Sequence, residues 1–452
     1  MSLSHVIEEN DQTRARREHL EEIRRLVGNA YPSKFERTDV AANPEGEDTV
    51  TALCDRDTLA RIVGGPHFSA SLDALEKKVE GGERPTPEDL APVNEGLNKI
   101  NVRVAGRLAT PPRVMGKAAF VHLSDGRSRL QIYVRRDDSR AVSNDTGAVI
   151  DEEESGWRLF QLLDHGDFVG VEGFLFVTKT GELSVHVRTL KFLSKALLPM
   201  PDKMHGVSDP EIRQRQRYVD LLAGSLKVKT EDDDPEELTS REVFERRSHM
   251  IREMRRYLDE HGFVEVETPI LSPLASGAAA RPFKTHHNAL GIDLYARIAP
   301  ELYLKRLLVG GFERVYELNR NFRNEGIDRT HNPEFTMLEF YCAYMDVNGM
   351  MDFWEQMLRA VVQRVTGSTT VRYGDDRIDF GRPFERLTMK QAIDKCLNYL
   401  QPKFRVLGGE KVDASWIDKP SLALALSDFL ILMEQRDEPI IEILEFGHER
   451  FT

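Results

Sequence analysis

Apolar positions along the chain follow two different periods, and each period predicts one kind of secondary structure. Residues 11–27, 242–260 and 347–366 repeat their apolar positions with the spacing of amphipathic helices. Between residues 101 and 197, five short runs instead alternate apolar and polar positions, and turn residues separate them. Five such strands in so short a segment are typical of a small β-barrel.

A second group of alternating runs follows the helix at 242–260. These runs predict strands at residues 263–268, 294–298, 313–318 and 333–343. Two acidic stretches, residues 144–156 and 224–239, interrupt the patterns and are predicted to be exposed insertions. The predicted fold class is therefore α+β, with a barrel followed by a domain of helices and strands.

The same patterns divide the chain into four predicted parts. These are an N-terminal helical extension (1–100), the barrel (101–197), a linker with an acidic insertion (198–241) and a second α+β domain (242–452). A length of 452 residues suits about three domains, or two with an extension. With 40% hydrophobic residues, the chain can form a sizeable core.

Composition narrows the class of protein. Three cysteines without a CxxC pair exclude a disulfide-stapled scaffold and indicate a reducing compartment. The longest apolar stretch, residues 422–433, is too short to span a bilayer. The N-terminus is acidic where a signal peptide would be basic and then apolar, so a cytoplasmic protein is expected.

The net charge of −13, from 62 Lys and Arg against 75 Asp and Glu, suggests at first that the chain repels polyanions. Ten of the acids, however, lie in two runs, Asp151 to Glu154 and Glu231 to Glu237. The rest of the chain carries about −3. Because binding depends on local fields, a nucleic-acid partner is compatible with this composition.

The runs around residues 320–341 carry the candidate chemistry. If they pair as antiparallel strands, Arg323 and Glu325 share one face, and Phe335 and Glu339 share one face of the partner. A guanidinium for phosphate, a ring for base stacking and a carboxylate for an amine would together form a nucleotide cradle. A half-exposed hairpin whose charges pair with one another explains the same pattern, and the spacing alone does not decide.

Longer stretches resemble one known family, the class II aminoacyl-tRNA synthetases, and within it the lysyl-tRNA synthetases. The segment RNFRNEG…RTHNPEFTMLEFYCAY resembles their motif 2, and the helix running into GFVEVETPIL resembles motif 1, with Pro269 as its proline. Between the two motifs, two further segments are similar to the lysyl family, SGAAARPFKTHHNAL and YARIAPELYLKRLLVGGFERVYELNR. The barrel segment VAGRLATPPRVMGKAAFVHLSDGRSRLQIYV resembles the family's anticodon-binding OB-fold. The resemblance implies an N-terminal OB-fold on a class II catalytic domain with an antiparallel sheet.

The resemblance implies an ATP site on motif 2. Arg323 would bind the α-phosphate and stabilise the charge that develops during adenylate formation. Glu325 would read the adenine amino group, and His331 would approach the outer phosphates. Phe335 would stack on adenine. Simple surface exposure of His331 and a core position for Phe335 are the structural alternatives.

The resemblance also implies a lysine site. Glu301, Glu339 and Tyr341 would form the pocket, because an ammonium group with three donors and a full charge calls for carboxylates. Gly277 would let the amino acid approach the backbone closely. The alternative role of Glu339 is to pair with a nearby arginine, and Gly277 is otherwise a plain loop glycine.

In the barrel, the resemblance implies an anticodon site. Phe120 would stack on an anticodon base and Gln131 would hydrogen-bond one, with Arg113 and Glu182 nearby, as OB-folds read splayed bases. A core position is the alternative for Phe120. The arginine-rich helix at 11–27 has two interpretations, a tRNA backbone contact or a solvated, salt-bridged face.

The implied activity is ATP-dependent attachment of lysine to tRNA(Lys) through a lysyl-adenylate. ATP is then a substrate, Mg²⁺ accompanies its phosphates, motif 1 forms a homodimer, and no membrane is involved. Metal ligands are not assigned. The sequence contains no GxGxGxDR segment of motif 3, and the resemblance weakens after about residue 400. The catalytic domain is therefore expected to be C-terminally incomplete, and a catalytically inactive truncated synthetase that retains tRNA or anticodon binding is the alternative function.

Overall fold

The chain divides into two compact units, residues 1–245 and residues 246–452. The computed structural model describes residues 10–42, 46–200, 209–226, 234, 236–274, 280–328, 330–392 and 395. Each unit has a hydrophobic core built from residues of that unit alone. Within the described ranges, no helix is long and apolar enough to cross a membrane.

The first unit combines N-terminal helices with a β-barrel. The N-terminal helices are α1 (Asp11–Val27), α2 (Val50–Cys54), α3 (Arg56–Val63), α4 (Pro66–Glu80) and α5 (Pro87–Leu97). The strands are β1 (Asn101–Leu108), β2 (Arg113–Met115), β3 (Ala118–Ser124), β4 (Arg129–Arg135), β5 (Arg140–Ala141), β6 (Phe168–Val177) and β7 (Leu183–Ser194). The later helices are α6 (Ser155–Gln161), α7 (Pro210–Arg215) and α8 (Arg217–Leu226).

Five of these strands close the barrel in the order β1, β3, β4, β7, β6 and back to β1. Neighbouring strands are antiparallel except β4 and β7, which run parallel with Gln131 opposite Ser184. The short strands β2 and β5 add to the rim beside β3 and β7. The barrel and its five alternating strands are therefore confirmed, whereas β2 and β5 were not predicted.

Helix α1 has the predicted bounds and packs one face into the core of the first unit. Its buried apolar residues are Leu20, Ile23 and Val27. Arg16 is also buried, and its guanidinium donates to the carbonyl oxygens of His165 at 3.1 Å and Ala196 at 2.7 Å. Arg16 is therefore not one of the solvent-facing charges expected on this helix.

The acidic stretch at 144–156 is anchored at both ends. The backbone N–H of Asn144 donates to Val27 at 2.7 Å, and its side-chain amide donates to the carbonyl of Phe192 at 2.9 Å. Ser155 and Gly156 are buried at the start of α6. The prediction of an exposed insertion is right for residues 145–149 and 151–153 but wrong for these flanking residues, because they bind α1, β7 and the barrel. Of the second acidic stretch, 224–239, half of the residues lie outside the described ranges.

A buried ion cluster ties α1 to the barrel. Lys195, with no exposed side chain, donates to Asp164 at 2.6 Å and Asp167 at 2.8 Å, and His19 lies 2.9 Å from Asp164. Burial raises the pKa of Asp167. At Asp164 burial acts in the same direction, but hydrogen bonds from Lys195 and His19 hold its pKa below the usual value. These groups contact one another, so we interpret the cluster as a structural contact between α1 and the barrel.

Besides a helical stretch at residues 389–392, the described part of the second unit contains three helices and a set of short sheets. The helices are α9 (Ser240–Glu260), which begins in the first unit, α10 (Glu301–Val309) and α11 (Val347–Thr366). The strands are β8 (Val264–Glu265), β9 (Leu271–Ser272), β10 (Lys284–His287), β11 (Ile292–Ala296), β12 (Arg314–Phe322), β13 (Glu334–Cys342), β14 (Thr370–Tyr373) and β15 (Asp376–Asp379). The α+β class is confirmed.

The pairing in this unit is mixed. Strand β12 pairs antiparallel with β13 along its whole length and parallel with β8, where Val315 lies opposite Val264. Strand β11 lies between β9 and β10, and β14 and β15 form a hairpin. Among the described residues, β8 thus adds a parallel pairing to the antiparallel pair β12–β13, because its chain direction matches that of β12.

The two faces of the β12–β13 pair differ in character. One face packs Tyr316, Leu338 and Phe340 into the second core, and the helices contribute Tyr257, Leu258, Phe353, Met357 and Val361. The opposite face is polar and aromatic. Burying one face fixes the register of the pair, and the other face is thereby left for chemistry.

Candidate active site and nucleic-acid interface

The register of β12 and β13 brings an alternating set of side chains to one face. The facing pairs are Glu317 with Glu339, Asn319 with Met337, Asn321 with Phe335, and Val315 with Tyr341. Side chains alternate between the faces of a strand, so these eight lie on one surface. The structure thus places Phe335, Glu339 and Tyr341 together, as the alternation predicts.

Arg323 follows β12 and faces this surface. Its guanidinium carbon lies 5.1 Å from the centre of the Phe335 ring, a cation–π distance. Its backbone N–H donates to the carbonyl of Pro333 at 2.9 Å, which holds the two strand ends together. The Nε of Arg323 is buried and has no hydrogen-bond partner among the described residues. A guanidinium group beside an aromatic ring, as in Arg323 and Phe335, is suited to bind a phosphate next to a stacked base.

The loop between the strands carries Glu325 and His331, both exposed. The backbone N–H of Glu325 donates to the carbonyl of Arg323 at 3.0 Å, so a tight turn positions this carboxylate. The Nδ1 of His331 lies 2.7 Å from Asp328 Oδ2. Hydrogen bonds from the backbone N–H groups of Thr330 and His331 hold the pKa of Asp328 at about 2. His331 is therefore exposed and engaged with an ionised carboxylate.

Two acids and a phenol come together at the other end of the face. Glu301 begins α10, which packs on β12 and β13, and Tyr341 donates to Glu339 at 3.1 Å. Burial, with a further contribution from the neighbouring Glu301, raises the pKa of Glu339. Burial and Glu339 also raise the pKa of Tyr341. In this structure Lys305 lies 2.6 Å from Glu301, so a primary ammonium already contacts one of the acids.

A buried ion pair beneath this face was not predicted. Arg297 donates to Glu317 at 2.6 Å, and their side chains are only 3% and 1% exposed. Thr268 donates its hydroxyl to Glu317 at 2.6 Å, and Arg297 also donates to the carbonyl of Arg320 at 3.0 Å. The alternation along β12 could have revealed Glu317 as a member of the polar face. Arg297 has no such local signal.

Unpaired polar atoms cluster on the same side of the sheet. Within the described part of the chain, the Nη2 of Arg297, the Oδ1 of Asn321 and the Nε of Arg323 are buried without a hydrogen-bond partner. Buried polar groups are normally satisfied. A polar ligand or water would satisfy these three atoms. Gly277, the remaining residue of the implied lysine site, lies outside the described residues.

The barrel carries a separate pocket of about 590 Å³. Its lining residues are Thr110, Pro111, Pro112, Arg113, Val114, Phe120, Val121, His122 and Gln131. Arg113 lies opposite Phe120 across β2 and β3, and the Phe120 ring lies 4.9 Å from that of Tyr133. Gln131 donates to Glu182 at 2.6 Å. The structure therefore brings Arg113, Phe120, Gln131 and Glu182 together, and it adds His122, which was not predicted.

Comparisons with known proteins match both parts of the chain to family models. Residues 210–439 match the family model of tRNA synthetases class II (D, K and N), and residues 102–193 match that of the OB-fold nucleic acid binding domain. The first match alone covers more than half of the chain, which therefore belongs to this family of class II tRNA synthetases. The match continues to residue 439, beyond the point near residue 400 where the resemblance was expected to weaken.

The curated relatives described next are all lysine–tRNA ligases, so within the class II family the chain is similar to this group. The lysine–tRNA ligase of Pectobacterium atrosepticum is 45% identical over 388 residues, which cover 85% of this chain and 63% of that protein. The lysine–tRNA ligase of Serratia proteamaculans is 51% identical over 304 residues, which cover 67% of this chain and 55% of that protein. The lysine–tRNA ligase of Escherichia coli is 44% identical over 390 residues, which cover 86% of this chain and 64% of that protein. The resemblance to lysyl-tRNA synthetases is confirmed, and the chain spans roughly three fifths of the length of these relatives.

Proposed function

We propose that this chain catalyses the ATP-dependent attachment of lysine to tRNA(Lys) through a lysyl-adenylate. The observation that carries the proposal is the meeting of Glu301, Glu339 and Tyr341 on the sheet face that also bears Phe335 and Arg323. Two carboxylates suit the ammonium of a lysine side chain, whereas an aspartate substrate would call for a cation. The names of the curated relatives support the same substrates.

The proposed reaction needs no nucleophile from the protein. A carboxylate oxygen of lysine attacks the α-phosphorus of ATP, the bond to the β-phosphate oxygen breaks, and pyrophosphate leaves. A hydroxyl at the 3′ end of the tRNA then attacks the carbonyl carbon of the adenylate, and AMP leaves. The protein contributes positioning and charge stabilisation. Arg323 would bind the α-phosphate, Phe335 would stack on adenine, and Glu325 and His331 would contact the adenine amino group and the outer phosphates.

The barrel would recognise the anticodon. Phe120 supplies a ring at the pocket wall, and Gln131, which donates to Glu182, would meet a base edge there. Arg113 adds a positive charge at the rim, where a phosphate of single-stranded RNA would pass. This combination of a stacking ring, edge hydrogen bonds and a cation is how OB-folds bind unpaired nucleotides.

The proposal includes Mg²⁺, a homodimer and a cytoplasmic location. Among the described residues, no group of three or more His, Cys, Asp or Glu side chains could hold a metal ion. In the proposed reaction, Mg²⁺ would accompany the ATP phosphates. Val243, Phe244 and Met250 are large apolar residues exposed on α9, the helix of motif 1, and support self-association there.

Exchange of labelled pyrophosphate into ATP tests the proposal, because it reports adenylate formation without requiring tRNA. We expect exchange that depends on lysine and that aspartate does not support. Reactions without an amino acid provide the background. Folded protein that gives no exchange with lysine would contradict the proposed activity. If that protein still bound tRNA(Lys), the alternative of an inactive tRNA-binding synthetase would be favoured.

A further inference from the structure

The barrel pocket contains a histidine to which the family resemblance assigns no role. His122 follows Phe120 by two positions on β3, so both side chains lie on the same face of the strand. The Nε2 of His122 lies 2.5 Å from Glu182 Oε1, and its Nδ1 lies 3.4 Å from the hydroxyl of Thr110. The imidazole is therefore held in the pocket wall between a carboxylate and a hydroxyl.

Glu182 connects His122 to Gln131. One carboxylate oxygen contacts the imidazole, and the other accepts a hydrogen bond from Nε2 of Gln131 at 2.6 Å. At the opposite end of the same amide, the hydroxyl of Ser184 donates to Oε1 of Gln131 at 2.9 Å. Both ends of the Gln131 amide are thus restrained, and each oxygen of Glu182 has its own partner.

This arrangement determines which end of the amide faces which way. An ionised carboxylate can only accept hydrogen bonds, so it must face the NH₂ group of Gln131. Half a turn of the amide would instead place Oε1 of Gln131 against the oxygens of Glu182. One N–H and one lone pair of the amide then remain for a ligand, in a fixed order.

A fixed amide separates two classes of nucleobase. Uracil and guanine present a ring N–H beside a carbonyl oxygen, which match an acceptor and a donor in one order. Cytosine and adenine present a ring nitrogen acceptor beside an amino group, which require the reverse order. An amide that rotates freely serves both classes, so discrimination depends on the restraint.

We propose that His122 is a positioning residue that makes this pocket discriminate between unpaired uracil and cytosine. It holds Glu182 in the conformation that orients Gln131. The side chain of Glu182 is 42% exposed, so without this contact the hydrogen bond with Gln131 would be left to restrain it. The inference rests on the proposed anticodon site and deepens it. Anticodons that pair with the lysine codons AAA and AAG carry uracil, so uracil and cytosine are the bases to compare.

Binding of anticodon stem-loop RNA to the full chain tests this inference. Replacing each anticodon uracil by cytosine in turn identifies the position that the pocket reads. The ratio of the two dissociation constants at that position measures discrimination. We expect His122→Leu to reduce this ratio about fivefold, the effect of one hydrogen bond. His122→Gln, whose amide can donate to Glu182, should restore most of the ratio.

Two further variants separate positioning from folding. His19→Leu is a matched control, because His19 makes a similar contact with Asp164 outside the pocket, and it should leave the ratio unchanged. Glu182→Gln removes the group that only accepts hydrogen bonds without altering β3, and it should also lower the ratio. Unchanged ratios in both His122→Leu and Glu182→Gln would overturn the role of His122 while leaving the anticodon site intact. A wild-type chain that discriminates at no position would instead overturn the proposed anticodon recognition, and this inference with it.

Discussion

At the scale of single residues, the proposed lysine ligand Glu339 lowers the stability of the folded chain at neutral pH. Burial raises its pKa in the folded protein, and the adjacent Glu301 adds to this effect. A carboxyl group whose folded pKa is raised binds its proton more tightly in the native state than in the unfolded chain. Stability therefore falls as the pH rises from the unfolded to the folded pKa, and the loss persists at neutral pH. A bound ammonium group would offset it.

Replacing Glu339 by Gln should separate these two effects. We expect the dissociation constant for lysine to rise by at least about tenfold, because a charged hydrogen-bond partner is lost, while ATP binding changes by less than about twofold. The melting temperature at pH 7 should rise, since the buried charge is removed. Calorimetric titration and thermal unfolding measure the two results. Glu334→Gln, an exposed acid on the same strand, should change neither quantity. Equal losses for lysine and ATP would refute the pocket.

Which residues share the polar face could be predicted in part. Alternation along β13 placed Phe335 and Glu339 together, because a period of two is a property of the strand itself. The same rule applied to β12 marks Glu317 and Asn321, which were not predicted. Arg297 could not be found in this way, since its ion pair joins residues on different elements and leaves no local pattern.

At the scale of elements, one ion pair joins three segments of the second unit. Arg297 follows β11, Glu317 lies in β12 and Thr268 lies after β8, and their side chains are linked by hydrogen bonds. Breaking a buried pair by removing one partner leaves an uncompensated charge in the interior. The strands beneath the proposed lysine pocket should therefore depend on this contact.

We expect Arg297→Met to lower the free energy of unfolding by about 3–5 kcal/mol, because Glu317 would remain buried without its cation. Urea denaturation followed by circular dichroism measures the loss. The double variant Arg297→Met with Glu317→Leu should lose less than the single variant. Arg256→Met, which removes an exposed pair with Glu260, should cost no more than about 1 kcal/mol. Equal losses in the two arginine variants would show that the buried pair is not special.

Long elements were easier to predict than short ones. Helices α1 and α11 have the bounds that the helical period indicates, and α9 begins at Ser240 instead of residue 242. Many turns of amphipathic spacing make such segments unambiguous. Strands β2 and β5 are too short to show an alternation. The parallel direction of β8 results from its pairing with β12, which is distant in sequence, so the local sequence pattern does not indicate it.

At the scale of the whole molecule, the two proposed sites belong to different units. The anticodon pocket lies in residues 1–245, and the face proposed for adenylate formation lies in residues 246–452. Each unit also has its own core. A change in one pocket should therefore affect one step of the proposed reaction and spare the other.

Phe120→Ala tests this separation. Loss of a stacking ring costs about 1–3 kcal/mol per base, so affinity for tRNA(Lys) should fall by roughly 5- to 150-fold. Lysine-dependent pyrophosphate exchange should be unchanged. Filter binding and the exchange assay on the same preparation measure both results. Phe174→Ala, on β6 and outside the pocket lining, is the control for aromatic loss in the barrel. Impaired exchange in the Phe120 variant would indicate a core role for the ring.

The closure of the barrel also has a consequence for the order of events during synthesis. Strand β7 is the last barrel strand along the chain; it pairs in parallel with β4, with Gln131 opposite Ser184, and every barrel strand precedes residue 195. A ribosome releases the chain from its N-terminus, and domains generally fold as units in that order. The barrel can therefore complete its hydrogen bonds, and leave no open strand edge exposed, while the second unit is still being translated.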